Sequence, residues 1–210
     1  MAKIDPFGPK PPIDWVKLPT LTIVHVITIL GVVLWYYGFI KVTWRSETFA
    51  FVYFNLSSLA VTAGYHRLFS HPTHKATWPL KLFHVIFGMA ALQGAALQWS
   101  AQHIYHHAFV DGPKDPYNIM RGFWYAHWGW VIRKTNPDYS VVKNLARDPL
   151  LAWQQKYELP LSILMPFGLP AVIGGLFWGE WLGSLLTAGF IRLVIQWHMT
   201  FCVNSVAHYF

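Results

Sequence analysis

The sequence predicts an all-α membrane protein: four transmembrane helices in two hairpins, with a cytosolic helical cap that carries a metal site. Three observations lead there. Four stretches of the 210-residue chain are apolar over roughly the 18 residues a bilayer crossing needs, and a composition 54% hydrophobic and 12% charged is too apolar for an ordinary soluble domain. The 12 Trp, 10 Tyr and 15 Phe suit the aromatic belts found where lipid meets water. Histidines stand in three groups at the mouths of the apolar segments: His66 with His71, His103 with His106 and His107, and His208 with Asn204.

Taken in order, residues 1–18 form an extended arm. Pro6, Pro9, Pro11 and Pro12 with several charges, and no apolar core followed by small residues, argue against a cleaved signal. Residues 19–65 form the first hairpin. Its spans are 20–40, interrupted only by His25, and 49–63, with Lys41, Arg45 and Glu47 in the turn. Residues 66–157 form a cytosolic region containing an apolar helix over 78–99. Were that helix to cross, the histidine groups on either side of it would lie roughly 30 Å apart and could share no metal. It is therefore expected in the interface or packed inside the protein, as Lys81, His84, Gln93 and Gln98 suggest. Residues 158–203 form the second hairpin, with spans 159–178 and 181–203 about a Gly179-Glu180 turn; Pro160, Pro166 and Pro170 should kink the third span without ending it.

Charge orients the spans. Lys3, Lys10 and Lys17 precede the first, and 10 Lys or Arg lie between Arg67 and Lys156, against Lys41 and Arg45 on the other side. The positive-inside bias puts both termini and every histidine group in the cytosol. The net charge of +7 includes no basic stripe separate from the membrane segments, so no nucleic-acid partner is expected. A single cysteine, Cys202, excludes an internal disulfide and any Cys-based zinc or iron–sulfur site. Gly174-Gly175 follows no strand and is no nucleotide fingerprint.

Neutral imidazole suits iron, zinc and copper. On a helix His103, His106 and His107 span an arc of about 100° and can address two neighbouring ions, and Asn204 and His208 share one face. His66 and His71, five apart, fall about 140° around an ideal α-helix, so their convergence requires a helix end or a local distortion. His25, His74, His84 and His198 have no partner pattern and read as structural. His127 is placed to orient a ligand or a neighbouring loop. Asp111 and Asp115 either accept the spare N–H of a ligand imidazole or serve as turn and cap residues.

The motifs together resemble the membrane fatty acyl desaturases of the stearoyl-CoA Δ9 type. The resemblance runs from about Asp14 to the end of the chain. It is carried by Thr62-Ala63-Gly64-Tyr65-His66-Arg67-Leu68-Phe69-Ser70-His71, by Trp99 through His107, by Lys114-Asp115-Pro116, by Arg121-Gly122-Phe123-Trp124, by His127-Trp128-Gly129-Trp130 and by Val203-Asn204-Ser205-Val206-Ala207-His208. It implies an O2-dependent enzyme that introduces a cis double bond, Δ9 by type, into a saturated acyl-CoA of the stearoyl or palmitoyl class. It implies two iron ions on His66, His71, His103, His106, His107 and His208, with Asn204 reaching metal through water. It puts Gln93 beside the bend of an acyl tunnel with Trp99 near the substrate path, and Phe201 where the family often has Trp. A b-type cytochrome or a ferredoxin is the implied electron donor. The implied location is multi-pass in a lipid bilayer, the endoplasmic reticulum membrane of a eukaryote or the cytoplasmic membrane of a bacterium. Ala101 and Gln102 stand where the family often has Arg-Asp. A further H-x-x-H-H group, usual downstream, does not follow His208, so the sequence is expected to be a fragment or a degenerate, non-catalytic relative that binds acyl chains. An acyl-lipid desaturase and a histidine-box hydroxylase are the alternatives within the enzyme class.

Overall fold

Backbone polar groups in lipid must be satisfied within the segment that carries them, and helices do this. The computed structural model describes residues 7–209; the first six residues of the arm and Phe210 lie outside them. Among the described residues the regular structure is helical, with one isolated antiparallel bridge, Ile13 to Arg133, where the arm lies against the long cap loop.

Helix α1 spans Lys17–Tyr36. Asp14 starts it by accepting the N–H groups of Val16 (3.0 Å) and Lys17 (3.2 Å), two donors that no helix carbonyl reaches. Most of its Ile, Val and Leu side chains point outward, as lipid-facing residues do. Helix α2 runs over 44–70. It is α-helical over Trp44–Leu59 and π-helical over Ala60–Ser70. Helices α3 (Trp78–Ala90), α4 (Ala96–Phe109) and α5 (Pro149–Lys156) build the cap, and α6 (Glu158–Trp178) and α7 (Trp181–Tyr209) form the second hairpin. Helix α6 continues through its prolines, with a π-helical stretch at Leu164–Gly168.

Three helices of the described residues, α1, α6 and α7, are long and apolar enough to cross a membrane. The expected second span, 49–63, lies in α2, whose hydropathy is diluted by Asn55, Ser57, Ser58 and Thr62. Two of these serines form a polar seam with α7. Ser57 donates to Gln196 Oε1 (2.9 Å), and Gln196 Nε2 donates to Ser58 Oγ (3.3 Å). At the far end, Glu180 in the tight turn of the second hairpin is buried. It accepts hydrogen bonds from the N–H and hydroxyl of Thr43 (both 3.0 Å) and from Ser46 (2.9 Å), with Lys41 Nζ at 3.5 Å. The hairpins are thus tied at one end, and the histidines lie at the other.

The single helix expected over 78–99 is corrected to two. The break falls at residues 91–95, where Leu92 and Gly94 adopt positive φ (49° and 88°). Helix α3, with 13 residues, is about 20 Å long at ~1.5 Å per residue, short of a ~30 Å hydrocarbon core. Breaking the segment re-aims α4, which carries His103, His106 and His107.

The start of α4 is held from below. Ala96 donates its N–H to Gln154 Oε1 (2.8 Å) and Ala95 to Glu158 Oε1 (3.3 Å), so side chains of α5 and α6 satisfy the first free donors of α4. The same fully buried Gln154 donates to Tyr65 Oη of α2 (2.6 Å) and to the Val85 carbonyl of α3 (2.7 Å). One carboxamide therefore joins four helices. Gly64 allows the close approach of α2 and α3, since a Cβ there would lie 2.6 Å from the His84 side chain.

Replacing Gln154 by Leu should strand the Ala96 N–H and destabilise the fold by about 1–3 kcal/mol. Thermal unfolding in detergent should show a clear fall in Tm; an unchanged Tm would mean that this junction does not hold the cap.

Candidate metal centre

A π-helix closes its hydrogen bonds at i→i+5, so residues five apart stack over one another as residues four apart do in an α-helix. His71 donates its N–H to the His66 carbonyl (3.1 Å), and the two imidazole rings lie 4.7 Å apart. The distortion that their spacing requires is therefore built into α2. Helix α4 brings His103 and His107 from the other side. One nitrogen from each of His66, His71, His103 and His107 falls within 4.8 Å of the others.

The contacts within this group could hold a metal ion. His71 Nε2 and His107 Nε2 each lie 3.0 Å from His103 Nε2. A neutral imidazole nitrogen is either a donor or a lone pair, so His103 Nε2 cannot satisfy both neighbours by hydrogen bonding. Several lone pairs aimed at one point suit a cation. Ligand bonds of about 2.0–2.1 Å place opposite nitrogens ~4.2 Å apart, close to the spread found here. Burial, then the neighbouring imidazoles of His107, His66, His71 and His106, push the His103 pKa down to about 2, which keeps the ring neutral with one nitrogen lone pair free. Burial also lowers His66 and His107.

His106 points the other way along α4. It is buried, its ring lies 4.2 Å from that of Tyr117 and 5.2 Å from that of His208, and its Nδ1 is 2.8 Å from Asp115 Oδ1. Ionised Asp115 can only accept, so Nδ1 carries the proton and Nε2 presents its lone pair. Asp115 is itself fixed by the N–H groups of Asp111 (2.8 Å) and Tyr117 (3.1 Å). Asp111 Oδ1 lies 3.4 Å from His208 Nδ1. Asn204 sits one turn before His208 on α7, half-buried. The expected ligands thus fall into a convergent four-histidine group and a looser pair, His106 with His208, beside it.

Trp99 links this centre to the 91–95 turn. Its ring stacks on His103 (4.7 Å between centroids), and its Nε1 donates to Gln93 Oε1 (3.2 Å). Gln93 Nε2 donates to Thr200 Oγ1 on α7 (3.0 Å). Phe201, the next residue, is buried in a cluster with Val24, Leu193 and Trp197, against which Leu92 packs. Outside the histidine centre, Tyr105, Lys114, Arg121, Lys134 and Thr135 line a groove of about 260 Å³.

His25 and His198, which show no partner pattern in the sequence, have partners in the fold. His25 Nδ1 donates to the Leu21 carbonyl (2.7 Å), and its Nε2 lies 3.1 Å from His198 Nε2. His198 Nδ1 lies 3.1 Å from His127 Nε2, and His127 Nδ1 lies 2.9 Å from Ser205 Oγ. With all three rings neutral, each donates once and accepts once, and the chain pins the turn Tyr125–Gly129 to α1 and α7. Residues 173 apart in sequence are involved, which no local pattern reveals.

Burial lowers the His127 pKa, so the stability this chain contributes is present above the unfolded value of about 6.5 and is lost as pH falls through the lower folded value. Hydrogen-exchange protection of residues 125–129 should be high at neutral pH and fall on acidification below about pH 6. In His198→Phe protection should be low at every pH; a parent-like pH profile in that variant would sink the reading.

No family model matches the chain. Individual proteins do. A probable acyl-CoA desaturase of Schizosaccharomyces pombe is 44% identical over 177 residues, 82% of this chain and 37% of that protein. The Delta(9)-fatty-acid desaturase fat-6 of Caenorhabditis elegans is 35% identical over 208 residues, 96% of this chain and 60% of that protein. An acyl-CoA Delta(11) desaturase of Trichoplusia ni is 35% identical over 195 residues, 90% of this chain and 55% of that protein. The chain therefore spans between about a third and three fifths of the length of the relatives it matches.

Proposed function

We propose, from this likeness to acyl-CoA desaturases over most of the chain, that the chain is the core of an O2-dependent fatty acyl desaturase with a histidine-ligated diiron centre. The observation that carries the proposal is the convergence of His66, His71, His103 and His107 at the open end of an apolar helical bundle. In this reading those four hold one iron, and His106, His208 and a water on Asn204 contribute to the second.

An unactivated methylene has neither an acidic proton nor a polar group for acid–base catalysis to act on. The oxidising power to break its C–H bonds is what two iron ions, with O2 and two electrons from a b-type cytochrome or a ferredoxin, supply when bound. The protein's own residues do the rest. Asp115 fixes the His106 ring and its tautomer through Nδ1. Trp99, stacked on His103 and bonded to Gln93, forms a wall between the centre and the 91–95 turn. Gln93, Trp99 and Phe201 then hold one C–C bond of an acyl chain near the centre, so that position is selected by distance and bend. Lys114, Arg121 and Lys134 in the outer groove suit the phosphates of an acyl-CoA.

In the bilayer, α2 is the fourth span. It starts beside Glu180 at the far turn and ends at the histidine centre, and so traverses the same thickness as α7. Helix α3 lies along the cytosolic face with the rest of the cap, and both termini are cytosolic. The enzyme works at the endoplasmic reticulum membrane of a eukaryote or the cytoplasmic membrane of a bacterium.

Purified full-length protein containing this chain, supplied with iron, O2, an electron donor and stearoyl-CoA, should yield a cis-Δ9 product, read by gas chromatography; the 210-residue chain alone should load metal incompletely and give no turnover. His106→Ala should lower product by about a hundredfold or more and bound iron from two ions toward one, since a ligand set acts as a unit in turnover; full activity in that variant would refute the proposal. A product unsaturated at carbon 11 would keep the chemistry and reassign the position.

A further inference from the structure

Arg192 is a guanidinium buried near the middle of α7, 2% exposed, with only neutral partners. Its Nε donates to the Ala188 carbonyl (2.8 Å), and its Nη1 to the Ala90 carbonyl (2.8 Å) and to Gln196 Oε1 (2.7 Å), with Ser57 Oγ at 3.5 Å. The Tyr53 ring lies 5.0 Å from the guanidinium carbon, and Nη2 has no protein partner. A charge at bilayer depth with no counter-ion is costly and is found mainly where it has a task.

The task is visible in what α7 grips. Arg192 holds the Ala90 carbonyl, Trp197 Nε1 donates to the Ala91 carbonyl (2.9 Å), and Thr200 Oγ1 accepts from Gln93 (3.0 Å). Three side chains of one helix thus take three places in the turn that ends α3. Within that turn Leu92 has φ 49°, a left-handed conformation that a side chain adopts only where the surroundings impose it. Gln93 follows directly and carries the hydrogen bond to Trp99.

We infer that Arg192 is a positioning residue: from the middle of the last helix it sets the 90–93 turn, and through it the Gln93–Trp99–Thr200 wall that selects where a bound acyl chain bends. The inference rests on the desaturase reading for its consequence, though not for its geometry. A purely structural arginine would affect stability alone. A positioning arginine, when lost, lets Gln93 drift and spreads the reaction over neighbouring carbons.

The test uses Arg192→Met, Arg192→Lys and Trp197→Phe, the last removing one donor to the same turn with little change of volume. In protein labelled with ¹⁵N at the tryptophan indoles, with the Trp99 signal assigned through Trp99→Phe, the Trp99 N–H resonance should move in Arg192→Met and Trp197→Phe and return toward the parent position in Arg192→Lys. With iron content unchanged, the fraction of product unsaturated at a neighbouring position should rise about fivefold, the change in partition that follows a lost hydrogen bond. An unmoved Trp99 resonance, or a parent-like isomer ratio in variants that are merely less stable, overturns the inference. If the parent forms no unsaturated product, the desaturase reading falls, and the indole resonance still decides whether Arg192 positions the wall. Should Arg192→Met not fold, Trp197→Phe and Arg192→Lys carry the same two readouts.

Discussion

One hydrogen bond organises the functional end of this protein: the N–H of His71 to the carbonyl of His66, five residues back. Continued as an α-helix, α2 would turn these two imidazoles well away from each other. Wound as a π-helix over Ala60–Ser70, it stacks them, and the four-histidine group closes with α4. The π-helix is also what the neighbours must accommodate. Tyr65 and Gly64 sit within it, one bonded to Gln154 and the other against His84, so the cap packs on the distorted turn itself.

The rest of the architecture can be understood as support for that geometry. Gathering four imidazoles is unfavourable for charged rings, and burial lowers the pKa values of His66, His103 and His107. Holding neutral lone pairs face to face still needs rigid supports. Gln154 and Glu158 fix the start of α4, Asp115 fixes His106, and Glu180 locks the two hairpins at the opposite end. Rings oriented in advance in this way are ready for a metal without having to be ordered by it.

Much of this was legible in the sequence, and what was not has physical causes. The first, third and fourth apolar segments were plain because lipid-facing helices need no periodicity. The second is weaker, because Ser57 and Ser58 turn inward to Gln196 and lower the hydropathy of a segment that is well packed. The spacing of His66 and His71 showed that a distortion was needed without showing its kind. The break within 78–99 was hidden because Leu92, with no intrinsic preference for positive φ, adopts it under the grip of α7; Gly94 was the one local signal. Asp115 could be suspected from its closeness to the histidines in sequence. The chain of His25, His198 and His127 could not, since it joins three separate elements, and neither could the role of Arg192, which looks in sequence like a single flaw in an apolar span.

The central claim, that one metal ion sits among imidazoles brought together by the π-helical turn, is tested most directly by X-ray absorption on the iron-loaded protein. The structure predicts a coordination shell dominated by imidazole nitrogen at roughly 2.0–2.2 Å, with the multiple-scattering pattern of several histidine rings. A shell made mainly of carboxylate oxygen or of sulfur, with at most one imidazole, would contradict it.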